Sequence, residues 1–290
     1  MNLEEGTVRP QEQGEQATGS GSTLPNRRAG LIGAIVGYFS KTLTLADLEV
    51  RKLRHDPTEL VTRAVQPLLW LLVFGEVFTN IKAIPTNGYP YIDYITPGIL
   101  GQSVLFVAIF YGIAVVWERD LGIVHKFLAS PTPRSALVLG KALSAGVRAL
   151  TQAAIIYVLA VVIGVKLRLE ILPIGGVIVF VFLGAAVFAT LSLIIACLVR
   201  TRERFMGIGQ LLTMPLFFAS SAIYPISLMP SWLQAIAKGN PLTYEVDGLR
   251  SLMLPGWVAA HPIGIDLGAL ALTLFVLVLI GARLYPRLAR

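Results

Sequence analysis

Charged residues are scarce in this chain, making up 14% of its 290 positions against about 25% in an average soluble domain. With 55% of residues apolar and a mean hydropathy of +0.71, the polar surface is too small to coat a water-soluble particle of this size. That excludes a cytosolic enzyme and leaves lipid, or an intramembrane core, to cover most apolar side chains. Cysteine is limited to Cys197, inside an apolar run, so no internal disulfide forms and no thiol metal or redox site is supported. Histidine is limited to His55, His125 and His261. No HExxH pairing occurs, no metal-ligand spacing stands out, and Ser103 has no base, so it reads as a small helix-packing residue. A Walker A loop is missing too. The nearest approach, Gly140-Lys141, is followed by Ala142 where Ser or Thr should hold magnesium, and Ser135 replaces the leading glycine. No carboxylate is expected at the centre of a span. Glu76 closes the first and Asp266 opens the last, which gives an ion-coupled mechanism little support.

What the chain does have is apolar length. An α-helix needs about 20 apolar residues to cross roughly 30 Å of hydrocarbon, and six windows qualify, at residues 59–79, 98–116, 149–165, 171–199, 205–224 and 265–282. The expected fold is an all-α integral membrane protein with six transmembrane helices over 59–290. An amphipathic interfacial segment at 30–58 and a disordered cytoplasmic tail at 1–29 precede them, the tail being too polar to offset the entropy of ordering. With Arg9 in the remote tail and Arg63 inside span one set apart, seventeen of the 24 Lys and Arg residues fall before span one, between spans two and three, between spans four and five, or after span six. Five fall on the opposite side. Both termini are therefore expected in the cytoplasm, and the net charge of +7 needs no nucleic acid to explain it. Residues 225–264 carry too many charges and prolines for a crossing, so short interfacial or re-entrant helices on the outer side are expected there, with Trp232 and Trp257 at the interface.

Two cytoplasmic stretches carry further pattern. Ahead of span one, Leu43, Ala46, Val50 and Leu53 share a helical stripe beside Arg51, Lys52 and Arg54, which suits the headgroup region. Between spans two and three, Leu121, Val124 and Leu128 recur at helical spacing until Ser130-Pro131-Thr132-Pro133 stops the helix. Arg134, Lys141 and Arg148 then follow at intervals of seven, forming one basic stripe that either anchors in headgroups or docks a cytoplasmic subunit. Glu118 and Arg119 either cap span two or bond to such a subunit.

The order Glu118-Arg119, Gly122, Ser130-Pro131, Pro133-Arg134, Gly140-Lys141 before span three resembles the membrane subunit, or permease, of a type-2 ABC exporter. So does Asn240-Pro241-Leu242-Thr243-Tyr244 with Asp247-Gly248-Leu249-Arg250 before the last span. The resemblance covers residues 40–285 and is strongest to drug-efflux permeases of the daunorubicin-resistance kind. It implies two copies of a separate ATPase subunit, which carries the ATP and magnesium while this chain binds no cofactor and is no enzyme itself. It also implies a second permease, as a homodimer or a related chain, in a prokaryotic plasma membrane. The stretch of Glu118, Arg119, Leu121, Gly122, Val124, Leu128, Pro131, Pro133, Arg134 and Lys141 is implied to couple to the ATPases. The segment holding Pro225, Asn240, Pro241, Tyr244, Asp247 and Arg250 is implied to form an extracellular gate. An apolar cavity between two copies suits an amphipathic drug or lipid-like compound. Export of polysaccharide or glycolipid is the alternative, and scattered aromatics such as Phe74, Phe106, Tyr111, Tyr157, Phe217 and Phe218 do not decide between them. An ion-coupled carrier is the reading from outside the family.

Overall fold

The computed structural model describes residues 65–81, 84–86, 88–124 and 134–289, and every regular element among them is helical. The expected N-terminal tail and interfacial segment, together with Arg63, Leu128, Pro131 and Pro133, lie outside the described residues. Helix α1 runs over Val65–Asn80 and includes a π-helical stretch at Trp70–Gly75. It is followed by α2 (Tyr91–Asp120), α3 (Arg134–Ile163), α4 (Ile171–Leu198), α5 (Arg202–Phe218), the short α6 (Ser231–Gly239) and α7 (Pro241–Met253), and α8 (Ile263–Leu284). Four of these, in α2, α3, α4 and α8, are long and apolar enough to cross a membrane, while α1 is a shorter apolar helix. Helix α5 has 17 residues, about 25 Å at 1.5 Å per residue.

Helix α4 explains the arrangement. Its 28 residues contain no charge, and a helix apolar on every side is stable only when surrounded. It sits at the centre of the molecule, packed against α2, α3, α7 and α8. One end of the bundle gathers Val116, Val124, Val138, Val199, Phe205 and Tyr285 into a common apolar cluster, so the ends of α2, α4 and α8 meet the starts of α3 and α5 there. Arg119, Arg200, Arg202, Arg204 and Arg283 share this end, which we call the basic end.

At the opposite end α7 runs antiparallel to α4 at very close range. A Cβ built on Gly176 would meet the Leu252 side chain at 2.8 Å, one on Gly248 would meet the Phe180 ring at 2.2 Å, and one on Gly184 would meet the Glu245 carboxyl carbon at 2.3 Å. Glycine at these positions lets the two helices touch along their lengths. Because Gly184 is near the middle of α4, the start of α7 reaches half-way down the bundle and carries Glu245 with it, fully buried. A carboxyl group at mid-height is therefore present. The sequence pattern admits a re-entrant helix over residues 225–264 but does not announce a carboxyl group at the middle of the bundle.

Candidate functional site

The end of α2 is where the basic-end residues converge. Glu118, at 27% exposure, pairs with Lys141 of α3, at 15%. Arg119 donates to Val199 O at 2.8 Å and Arg200 O at 2.6 Å, tying α2 to the link between α4 and α5. Asp120 accepts from Arg119 at 3.2 Å and from Arg202 of α5 at 2.9 and 3.1 Å. The Arg202 guanidinium also lies 3.6 Å over the Trp117 ring. Thr201 caps α5 by accepting from Arg204 N. Four consecutive residues of α2 thus fasten three helices to one another, through charge-assisted contacts that are stronger than neutral hydrogen bonds.

Helix α2 stops at Gly122, whose φ of +70° lies in the left-handed region that glycine enters without cost. The apolar stripe expected from Leu121 onward is therefore divided. Leu121 sits in the turn at 67% exposure, and helical geometry resumes only beyond Gly122, where Val124 is fully buried in the chain's own basic-end cluster. The basic stripe is divided as well. Lys141 turns to Glu118 and Arg148 lies 5.2 Å over the Tyr111 ring of α2, leaving Arg134 as the exposed member.

At the opposite end, the residues read from sequence as a gate do come together. Asn240 caps α7 by accepting from Leu242 N at 3.0 Å, with Pro241 at the first helical position where a missing N–H costs nothing. The Asn240 amide also donates to Leu216 O and Ala219 O at 2.7 Å, closing the end of α5. Thr243 and Tyr244 donate back to Ala237 O and Lys238 O, fixing α6 against α7. Arg250 is 2% exposed. Its guanidinium donates to Tyr94 O and Ser221 O and stacks over the Tyr94 ring at 4.0 Å. Pro225, Asp247 and Arg250, with Trp257 and His261, line a cavity of about 450 Å³.

Two features went unseen in the sequence. The aromatics are not all scattered, since Trp70, Phe74, Phe78, Tyr91, Tyr94 and Trp257 form a ladder with successive ring centroids 4.3 to 6.0 Å apart. Phe217 joins it at Trp70. The second feature is that Asp266 is fully buried rather than marking an interface. Its first-turn position in α8 was legible, because acidic residues favour helix N-termini, but the side chains that surround it were not.

A family model described as ABC-2 type transporter matches residues 40–254. The chain is 28% identical over 254 residues to a protein of Cyanophora paradoxa whose name describes a transport permease, with 82% of this chain and 85% of that one covered. It is 27% identical over 218 residues to a daunorubicin resistance ABC transporter permease protein of Streptomyces coeruleorubidus, covering 74% and 75%. It is 23% identical over 244 residues to a protein of Mycobacterium tuberculosis named for doxorubicin resistance as an ABC transporter permease, covering 83% and 86%.

Proposed function

Because the chain belongs to the ABC-2 type transporter family, we propose that it is the transmembrane permease of an ATP-driven exporter of amphipathic drugs or lipid-like compounds, powered by two copies of a separate ATPase subunit. The observation that carries this reading is the fastened end of α2. Glu118, Arg119 and Asp120 bind α2 to α3 and to the start of α5, so a push on the short segment beyond Gly122 reaches three helices as one rigid block. Closure of an ATPase pair against that segment is then converted into a tilt of the spans. Glu118 and Arg119 act within the chain in this scheme, and Arg134 remains exposed for the partner.

In this reading α1 and α5 complete six crossings, the basic end faces the cytoplasm with both termini, and the membrane is a prokaryotic plasma membrane. Helices α6 and α7 form a re-entrant hairpin from the outer side, a role supported by the depth of Glu245. A second permease covers α5. The fully buried residues within that helix are Phe205, Gly209, Thr213 and Phe217, every fourth residue, and Gly207 and Gln210 are left exposed at mid-helix, where an uncovered amide is costly in lipid. Relatives named for daunorubicin and doxorubicin resistance support a drug-like cargo.

Purification of the gently solubilised chain through a C-terminal tag tests the central claim. A co-purifying ATPase in stoichiometric amount, with vanadate-sensitive turnover, is expected. A chain that transports in proteoliposomes without ATP would overturn the reading and direct attention to Glu245 and Asp266 as ion-coupling groups.

A further inference from the structure

Three metal-ligating side chains from three separate elements meet beside the outer cavity, which Asp247 and His261 help to line. Asp247 comes from the middle of α7, His261 from the loop that follows, and Asp266 from the first turn of α8. One ligand atom from each lies within 4.8 Å of the other two. His261 Nδ1 is 3.4 Å from Asp247 Oδ2 and 3.7 Å from Asp266 Oδ1.

Acidic clusters are common, and the first-turn Asp266 has an ordinary use in offsetting the helix dipole. A dipole partner, however, is satisfied by backbone N–H groups. Asp266 has 0% exposure, and neither of its carboxylate oxygens receives a hydrogen bond from the described residues. Its Oδ1 is instead 3.7 Å from His261 Nδ1, which is itself buried and has no hydrogen-bond partner among the described residues. A buried carboxylate facing a buried ring nitrogen is an arrangement that is ordinarily completed by pairing or by a bound metal. The obvious cation nearby does not supply it, because Arg250 is committed to Tyr94 O and Ser221 O.

We propose that Asp247, His261 and Asp266 form a binding site for a divalent transition metal of the zinc class, which braces α7 against the start of α8. Zinc bonds to imidazole nitrogen and carboxylate oxygen are about 2.0–2.2 Å long, so donors around a tetrahedral ion stand about 3.3–3.6 Å apart. The two carboxylate-to-imidazole separations, 3.4 and 3.7 Å, lie within and just above that spacing, and all three ligand atoms lie within 4.8 Å of one another. One imidazole with two carboxylates suits zinc better than calcium or magnesium, which take six or more oxygens. Two carboxylates also balance the charge of the ion. The orientation of Asp247 is held from outside the site, since its oxygens accept from Ala260 N at 3.2 Å and His261 N at 3.0 Å, the kind of support that ligating carboxylates receive in metal centres. Entry and the fourth ligand position are provided by the cavity, from which His261 is reached through its 39% exposed ring.

The test reads metal rather than transport, so its outcome is independent of the function proposed above. The full chain, carried on a tag without histidine, is stripped with EDTA, exchanged into metal-free detergent buffer and titrated with Zn²⁺, with Co²⁺ absorption as a second readout. One zinc per chain is expected, with the strong visible bands of tetrahedral cobalt. Binding at least about tenfold weaker is expected in His261→Gln and in Asp266→Asn, about 1.4 kcal/mol by the usual relation. Each variant is first checked for a single symmetric size-exclusion peak. Should Asp266→Asn fail to fold, His261→Gln decides alone, its ring being partly exposed and outside any helix. Absence of zinc binding overturns the proposal, as does binding of equal strength in the parent chain and His261→Gln, which would mark adventitious metal.

Discussion

Single residues carry consequences here because the packing between α4 and α7 leaves no slack. A Cβ on Gly184 falls 2.3 Å from the Glu245 carboxyl carbon, too near for a rotamer change to relieve while Glu245 is enclosed. Gly184→Ala is expected to destabilise the protein by about 1–3 kcal/mol, the usual cost of overpacking, seen as a lower apparent Tm in detergent. Adding Glu245→Ala, which removes the obstructing carboxyl, recovers most of that loss. If the double variant is no better than the single one, the contact is not the cause. The sequence contains both residues, yet nothing in their separation of 61 positions announces that they touch.

At the scale of elements, the proposed mechanism makes the end of α2 decide how motion is shared. Lys141→Glu places two carboxylates where Glu118 and Lys141 now pair, and removing one partner of a half-buried pair leaves the other uncompensated. Transport, or the resistance it confers, is expected to fall about tenfold or more at unchanged membrane abundance. The reciprocal Glu118→Lys in the same chain restores the pair and recovers most of the activity. A reversal that leaves transport intact would show that α2 and α3 need not move together. This element was half legible. The order of Glu118-Arg119, Gly122 and Arg134 carries a resemblance to a family pattern, and the structure places the helix end at Gly122. Which cation answers which carboxylate was hidden, because pairing across 23 positions depends on how the two helices cross.

Across the whole molecule, the uncovered surfaces differ in kind. Helix α8 exposes Leu272, Phe275, Val276 and Leu279, a face suited to lipid, whereas α5 exposes Gly207 and Gln210 among its apolar residues. With the single Cys197 replaced by serine, Gln210→Cys is expected to give a cross-linked dimer in native membranes with a short bis-maleimide. Phe275→Cys is expected to stay monomeric. The reverse pattern would place the second permease on α8. For a related partner chain in place of a second copy, the cross-linked product would have the mass of a heterodimer.

The sequence by itself determined the class and much of the element plan. Apolar runs long enough to cross hydrocarbon, charges gathered in alternate connections and prolines that break the stretch before the last span are all local signals, set by desolvation and backbone sterics that act on neighbouring residues. Tertiary structure alone decided that α4 is central, that α7 descends along it, that six rings form a ladder, and that Asp247, His261 and Asp266 meet. Those outcomes depend on close helix–helix contact, where the missing Cβ atoms of Gly176, Gly184 and Gly248 set how near two backbones come. That distance belongs to pairs of helices, and no window along one of them contains it.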